Sequence, residues 1–221
     1  MSNNELENKV KNLESMLFRV IDFMAIGADK INSYMFINEE IVRRELELDF
    51  IMMERTMASN FTGYCNHIFF QIENLFNYYY YIRFLNKGPE AITYFTTVID
   101  GKSIPGKENV SDISFSTKSI QFSKEFLNGK SLNFEIQKIA YVRNSSIHKN
   151  PVDIISKEEA ILKEYERVKL IDKTNRTKEE KKAYQKGTEV EFKRGGRFDL
   201  AKKNLVDFIE VIKPLIENLQ Q

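Results

Sequence analysis

Three side chains able to do chemistry fall within six positions in the second half of the chain. In the stretch IAYVRNSSIHKNP, residues 139–151, Arg143 is followed at once by Asn144 and then by His148, one of the chain's two histidines. A guanidinium keeps its positive charge at every physiological pH and presents a rigid fork of donors to an anion. An imidazole titrates near neutrality and can take up or release a proton. Anion binding beside proton transfer is the chemistry this spacing offers, with the Asn144 amide one turn before the histidine and placed to orient an imidazole nitrogen.

The element that must position them is a helix over residues 131–149. At about 100° per residue, Leu132, Ile136, Ile139, Ala140 and Ile147 fall in one stripe, and Arg143 projects into its middle. Burying a guanidinium without a partner is costly, so Arg143 either meets a carboxylate or lines a cleft that admits an anion. A side chain that snorkels from the stripe's edge is the plainer alternative. Gln137, Tyr141, Asn144 and His148 share a second, polar face. His148 lies in the last turn before Pro151, where the partial negative charge of a helix C-terminus favours imidazolium. A lone histidine at a helix end is more often a cap than a catalyst.

A second long helix is expected over 61–85, FTGYCNHIFFQIENLFNYYYYIRFL, the most aromatic part of the chain. Cys65, Ile68, Ile72, Leu75, Phe76, Tyr79 and Ile82 form one broad stripe. Phe69, Phe70, Glu73, Asn77, Tyr80, Tyr81 and Phe84 form another. A helix apolar on two sides is buried between layers or against another chain. Glu73 interrupts the second face and is the candidate partner of Arg143; a carboxylate solvated at the rim is the alternative. The four tyrosines 78–81 read as packing rather than base stacking, and His67 as structural.

The rest of the chain frames this pair. With 221 residues, 42% hydrophobic, 17 Phe and only 9 Gly and 4 Pro, the composition favours one well-cored helical domain. The net charge of +1 exerts no global pull on nucleic acid, so such a partner would need local basic patches. Cys65 is the single cysteine, which excludes an internal disulfide and a cysteine metal site. The polar start, MSNNELENKVKN, lacks a signal segment, and no apolar run reaches the roughly 18 residues of a membrane span. A soluble cytoplasmic protein is expected.

Leu6, Val10, Leu13, Leu17, Val20 and Met24 alternate at four and three, giving an N-terminal helical arm (1–37) ahead of a helical domain (38–221). Further helices are expected near 38–58, 90–99, 119–128, 156–172 and 198–219. The alternation of Val190 and Phe192 before Arg194-Gly195-Gly196 suggests a small basic loop or hairpin near 187–197. Its Lys193, Arg194 and Arg197, with Lys149 beside the histidine, are candidate RNA phosphate contacts; a solvated surface loop is the alternative. The heptad arm and the aromatic helix faces are more than one monomer readily hides, so a homodimer is expected.

The string RNSSIH, residues 143–148, resembles the motif of the HEPN superfamily: Arg, four to six residues, then His, with a polar residue directly after the Arg. The resemblance extends to the motif's place at the end of a late helix and to a long preceding helix with an acidic and amide pair, and it covers about residues 40–219. It implies an all-α, HEPN-like bundle and a metal-independent endoribonuclease needing no cofactor, working as a homodimer with a composite active site. The RNA's own 2′-hydroxyl would attack the adjacent phosphorus and leave a 2′,3′-cyclic phosphate. His148 would move the proton, Arg143 would stabilise the phosphorane charge, Asn144 would position the histidine or the phosphate, and Glu73 would hold Arg143 ready. A toxin or antiviral defence effector, with an antitoxin as possible partner, fits such an activity. The other member type is a non-catalytic HEPN module that binds nucleotide, RNA or a nucleotidyltransferase partner.

Overall fold

Residue type along 61–83 dictates the central element. Asn60 caps the start by accepting a hydrogen bond from the Gly63 N–H at 2.9 Å, and no proline or further glycine interrupts the run that follows. The result is helix α2 (Phe61–Arg83), flanked by α1 (Glu40–Thr56). The computed structural model describes residues 34–56, 60–85, 94–95, 110–127, 132–147 and 151–221. The remaining helices are α3 (Phe115–Phe122), α4 (Leu132–Ile147), α5 (Pro151–Lys169), α6 (Lys178–Gly195) and α7 (Phe198–Leu219). Among the described residues there is no strand, and the protein is an all-α bundle. No helix among them is long and apolar enough to cross a membrane.

Helix α2 is enclosed as its two apolar faces require. It packs on α1, α4 and α7, and Tyr64, Ile68, Phe69, Ile72, Leu75, Phe76, Tyr79 and Tyr80 are all buried. Phe76 sits at the crossing of elements, meeting Phe115, Phe122 and Phe208 edge-on with ring centroids 5.7, 5.2 and 4.8 Å away. Such aromatic pairs add about 0.5–1.5 kcal/mol each to the area they bury. Most of both faces of α2 is covered within the chain, and Tyr81 on the second face stays 58% exposed. Other exposed apolar side chains include Met35 and Ile41 and Leu48 of α1.

Two expectations at the edges of the domain are placed by the structure. The heptad positions 6–24 of the arm lie outside the described residues. Tyr34 and Ile37, its last residues, belong to the core: Tyr34 donates its hydroxyl to buried Gln71 at 2.5 Å. Gln220 closes the same end, donating to the Phe36 carbonyl at 2.7 Å and accepting from the Tyr78 hydroxyl at 2.7 Å. The short helix expected near 119–128 begins earlier, at Phe115, capped by the Ser114 hydroxyl, and runs into a π-helical turn over Ser123–Leu127.

The hairpin expected near 187–197 is corrected: α6 runs helically from Lys178 through Gly195. A capping box opens it, with Thr177 accepting from the Glu180 N–H and Glu180 accepting from the Thr177 N–H. The period-two pattern arose because the helix is buried on two flanks. Val190 and Phe192 are both inside, Phe192 against the ring of Phe61 at 5.4 Å, while the helix also lies along α5 and α4. Gly196 takes the left-handed conformation (φ 57°), and it turns the chain into α7.

Candidate functional site

Helix α4 is wrapped by α2, α6 and α7, and most of its side chains are wholly or partly buried. Ile136, Ile139 and Ala140, which share a stripe with Arg143, are inside, as are Val142 and Ser145. Asn144 is exposed, and Arg143 is partly buried beside it. The Arg143 guanidinium stands over the ring of Phe69 on α2, 5.1 Å from its centroid, and its Nη1 donates to Asn144 Oδ1 at 3.1 Å. A cation held on an aromatic face gains roughly 0.5–2 kcal/mol and is fixed in direction. Arg143 is thus oriented by the helix that the sequence pairs with it, near the C-terminal end of its own helix. His148 and Lys149 lie outside the described residues.

Glu73 is half-buried on α2, one turn beyond Phe69. Burial pushes its carboxyl above the ordinary carboxylate range, while the positive charges of Arg143 and Lys118 pull it back. One turn further, Asn77 accepts a hydrogen bond at 2.7 Å from Lys118 Nζ, reaching in from α3. Lys118 is 2% exposed. Beside it, buried Ser119 donates to Asn133 at 2.6 Å and accepts from Gln137 Nε2 at 3.2 Å, tying α3 to α4. Three elements thus enclose a polar seam in an otherwise aromatic interior.

The basic residues near 187–197 are not part of that seam. Glu158 of α5, 5% exposed, accepts from Lys193 Nζ at 2.7 Å and from Arg194 Nε at 3.2 Å. Burial opposes ionisation of Glu158, but the two cations prevail and hold its carboxyl below the ordinary range. The Tyr141 hydroxyl of α4 approaches the same carboxylate at 3.5 Å. Lys193 and Arg194 thereby clamp α6 to α5. Arg197 is exposed and pairs with Asp199 at 2.8 Å. His67 pairs with Asp49 of α1 at 3.0 Å.

Sequence reasoning missed Lys118. The signal was there: in FSTKSIQF, Lys118 shares a helix face with Phe115 and Phe122, a cation within an apolar stripe like Arg143. Starting the short helix at 119, one residue beyond Lys118, hid it. Among the described residues, no group of three or more His, Cys, Asp or Glu side chains could hold a metal ion. Comparison of the chain with family models, with curated proteins and with solved structures returns no match. The functional assignment therefore rests on the chemistry of this site.

Proposed function

We propose that the protein is a metal-independent endoribonuclease of HEPN type, acting as a toxin or defence effector. The observation that carries the proposal is the placement of Arg143. A fixed cation stands on the Phe69 face, braced by exposed Asn144, five residues before His148. In the reaction, the 2′-hydroxyl of RNA attacks the adjacent phosphorus and the bond to the 5′-oxygen breaks. The 2′-hydroxyl proton leaves through His148, and a proton returns to the departing 5′-oxygen. Arg143 meets the charge that builds on the non-bridging oxygens, where a guanidinium fork matches phosphate geometry. Two subunits facing one another would supply two such sets to one cleft.

The test is incubation of the full chain with total RNA and tRNA in EDTA, followed by analysis of the termini. Cleavage leaving 2′,3′-cyclic phosphate and 5′-hydroxyl ends is expected. His148→Ala and Arg143→Ala should each lower the rate by about 100-fold or more, the usual worth of a positioned proton-transfer or charge-stabilising group. A His148→Ala protein that cuts as fast as wild type removes the assignment. Tight RNA binding without cleavage by wild type would instead identify a non-catalytic HEPN module.

A further inference from the structure

The basic residues expected to grip RNA near 187–197 are engaged within the fold, Lys193 and Arg194 by Glu158 and Arg197 by Asp199. Another concentration of basic charge lies at the tip of the α5–α6 hairpin. Residues 172–186 hold six basic and three acidic side chains, a local charge of +3 in a chain whose total is +1. Lys173, Lys178, Lys181, Lys182 and Lys186 are exposed. Among the described residues, no carboxylate pairs with Lys173, Lys178, Lys181 or Lys182. Of the acids, Asp172 accepts from the Thr174 N–H at 2.8 Å and Glu180 from the Thr177 N–H at 3.0 Å, while Glu179 is exposed beside the lysines. Lys178, Lys182 and Lys186 stand four apart in one row on α6, where like charges repel, and the first turns of a helix disfavour cations. Both placements cost stability, and a bound polyanion relieves both. The turn that carries them is fixed in advance. Arg176 Nε donates to the Ile171 carbonyl at 3.0 Å, and its guanidinium stands 3.9 Å from the centroid of the Tyr184 ring. A preset surface binds without the cost of ordering a loop.

We propose that the lysine row at the α5–α6 tip is a docking surface for the RNA phosphate backbone, set apart from the place of cleavage. The choice of RNA rests on the reading of the protein as one that acts on RNA. Leu170, 88% exposed, is the large apolar side chain exposed at the tip, less than a membrane-binding helix presents. The fold sets the separation from Arg143. Tyr141 of α4 meets Glu158 of α5 at 3.5 Å, which fixes the level of Arg143 along the hairpin. From Glu158 to Lys169, where α5 ends, the helix rises about 16 Å. Gly187 faces Tyr165, so Lys181 and Lys182 lie level with that end. A dinucleotide seated at Arg143 does not reach them, whereas a longer strand spans both. Contacts to phosphate add affinity without base preference.

The test is binding of 2′-O-methyl RNA, which lacks the attacking hydroxyl, to the full chain over a range of salt concentrations. Lys181→Gln combined with Lys182→Gln should lower affinity about tenfold at low salt and flatten the slope of log K against log salt by about 1.4, at ~0.7 per phosphate contact. Lys203→Gln combined with Lys213→Gln removes the same charge from exposed positions on α7 and should bind nearly as wild type does. Melting temperatures should hold or rise in the first variant, since the lysines it removes sit unfavourably. Equal losses in the two variants, or no loss in the first, overturn the proposal. Slower dinucleotide cleavage by the first variant overturns it too, because that substrate cannot reach the tip. Binding to phosphatidylserine vesicles but not to RNA would overturn it in favour of a membrane surface. RNA binding that depends on Lys181 and Lys182 without any cleavage by wild type removes the ribonuclease assignment and leaves the docking surface standing.

Discussion

Two buried or half-buried cations and two acids of opposite behaviour define the molecule's electrostatics at the residue scale. Glu73 has a raised folded-state pKa, dominated by burial, so the folded protein holds its proton more tightly than the unfolded chain. That contribution to stability is present below the ordinary carboxylate value of about 4.3 and is lost as pH rises through the raised value. Glu73→Gln should therefore flatten the fall in melting temperature just above that range, as read from thermal melts across pH. Glu158 is the reverse case. Burial opposes its charge, yet Lys193 and Arg194 hold its pKa down, so its contribution is present above the ordinary value and lost as pH falls through the depressed one. Glu158→Gln should cost about 2 kcal/mol in denaturant unfolding at neutral pH, with the deficit shrinking below roughly pH 4.

At the scale of elements, α5 and α6 approach closely at Gly187. A Cβ added to Gly187 would lie 2.2 Å from Cγ of Tyr165, well inside van der Waals contact. The two helices run this close because Gly187 has no side chain, and the Tyr165 ring occupies the space. Gly187→Ala should consequently destabilise the fold by about 1–3 kcal/mol by forcing the helices apart, despite alanine's better helix propensity. A more stable Gly187→Ala protein in the same unfolding assay would contradict this packing. The clamp of Glu158 on Lys193 and Arg194 works at the same seam. Through α6 it fastens the α5–α6 pair to α4, the helix that carries Arg143.

For the whole molecule, the ribonuclease proposal requires two copies. The faces of α2 that suggested self-association are largely covered within the chain, with Tyr81 58% exposed, and α1, with Ile41 69% and Leu48 54% exposed, is a further stretch available to a dimer. Light scattering at micromolar concentration should give twice the 26.0 kDa chain mass. A monomeric mass there would argue against a composite site.

Helix content was legible in the sequence because it depends on local features: Asn60 at a cap, the aromatic stripes of 61–83, the amphipathic run 198–219. The placement of Arg143 among apolar neighbours was legible too, since a 3.6-residue period puts it with Ile136, Ile139 and Ala140 whatever surrounds the helix. Periodicity failed where a helix is buried on two flanks, and Val190 and Phe192 then imitated a strand. Which carboxylate answers which cation was decided by tertiary structure alone. Glu158 reaches Lys193 across 35 positions and Lys118 reaches Asn77 across 41, distances over which sequence carries no geometric information. Charge pairing depends on the inverse of spatial separation, and only the packing of α2, α3, α4, α5 and α6 sets that separation.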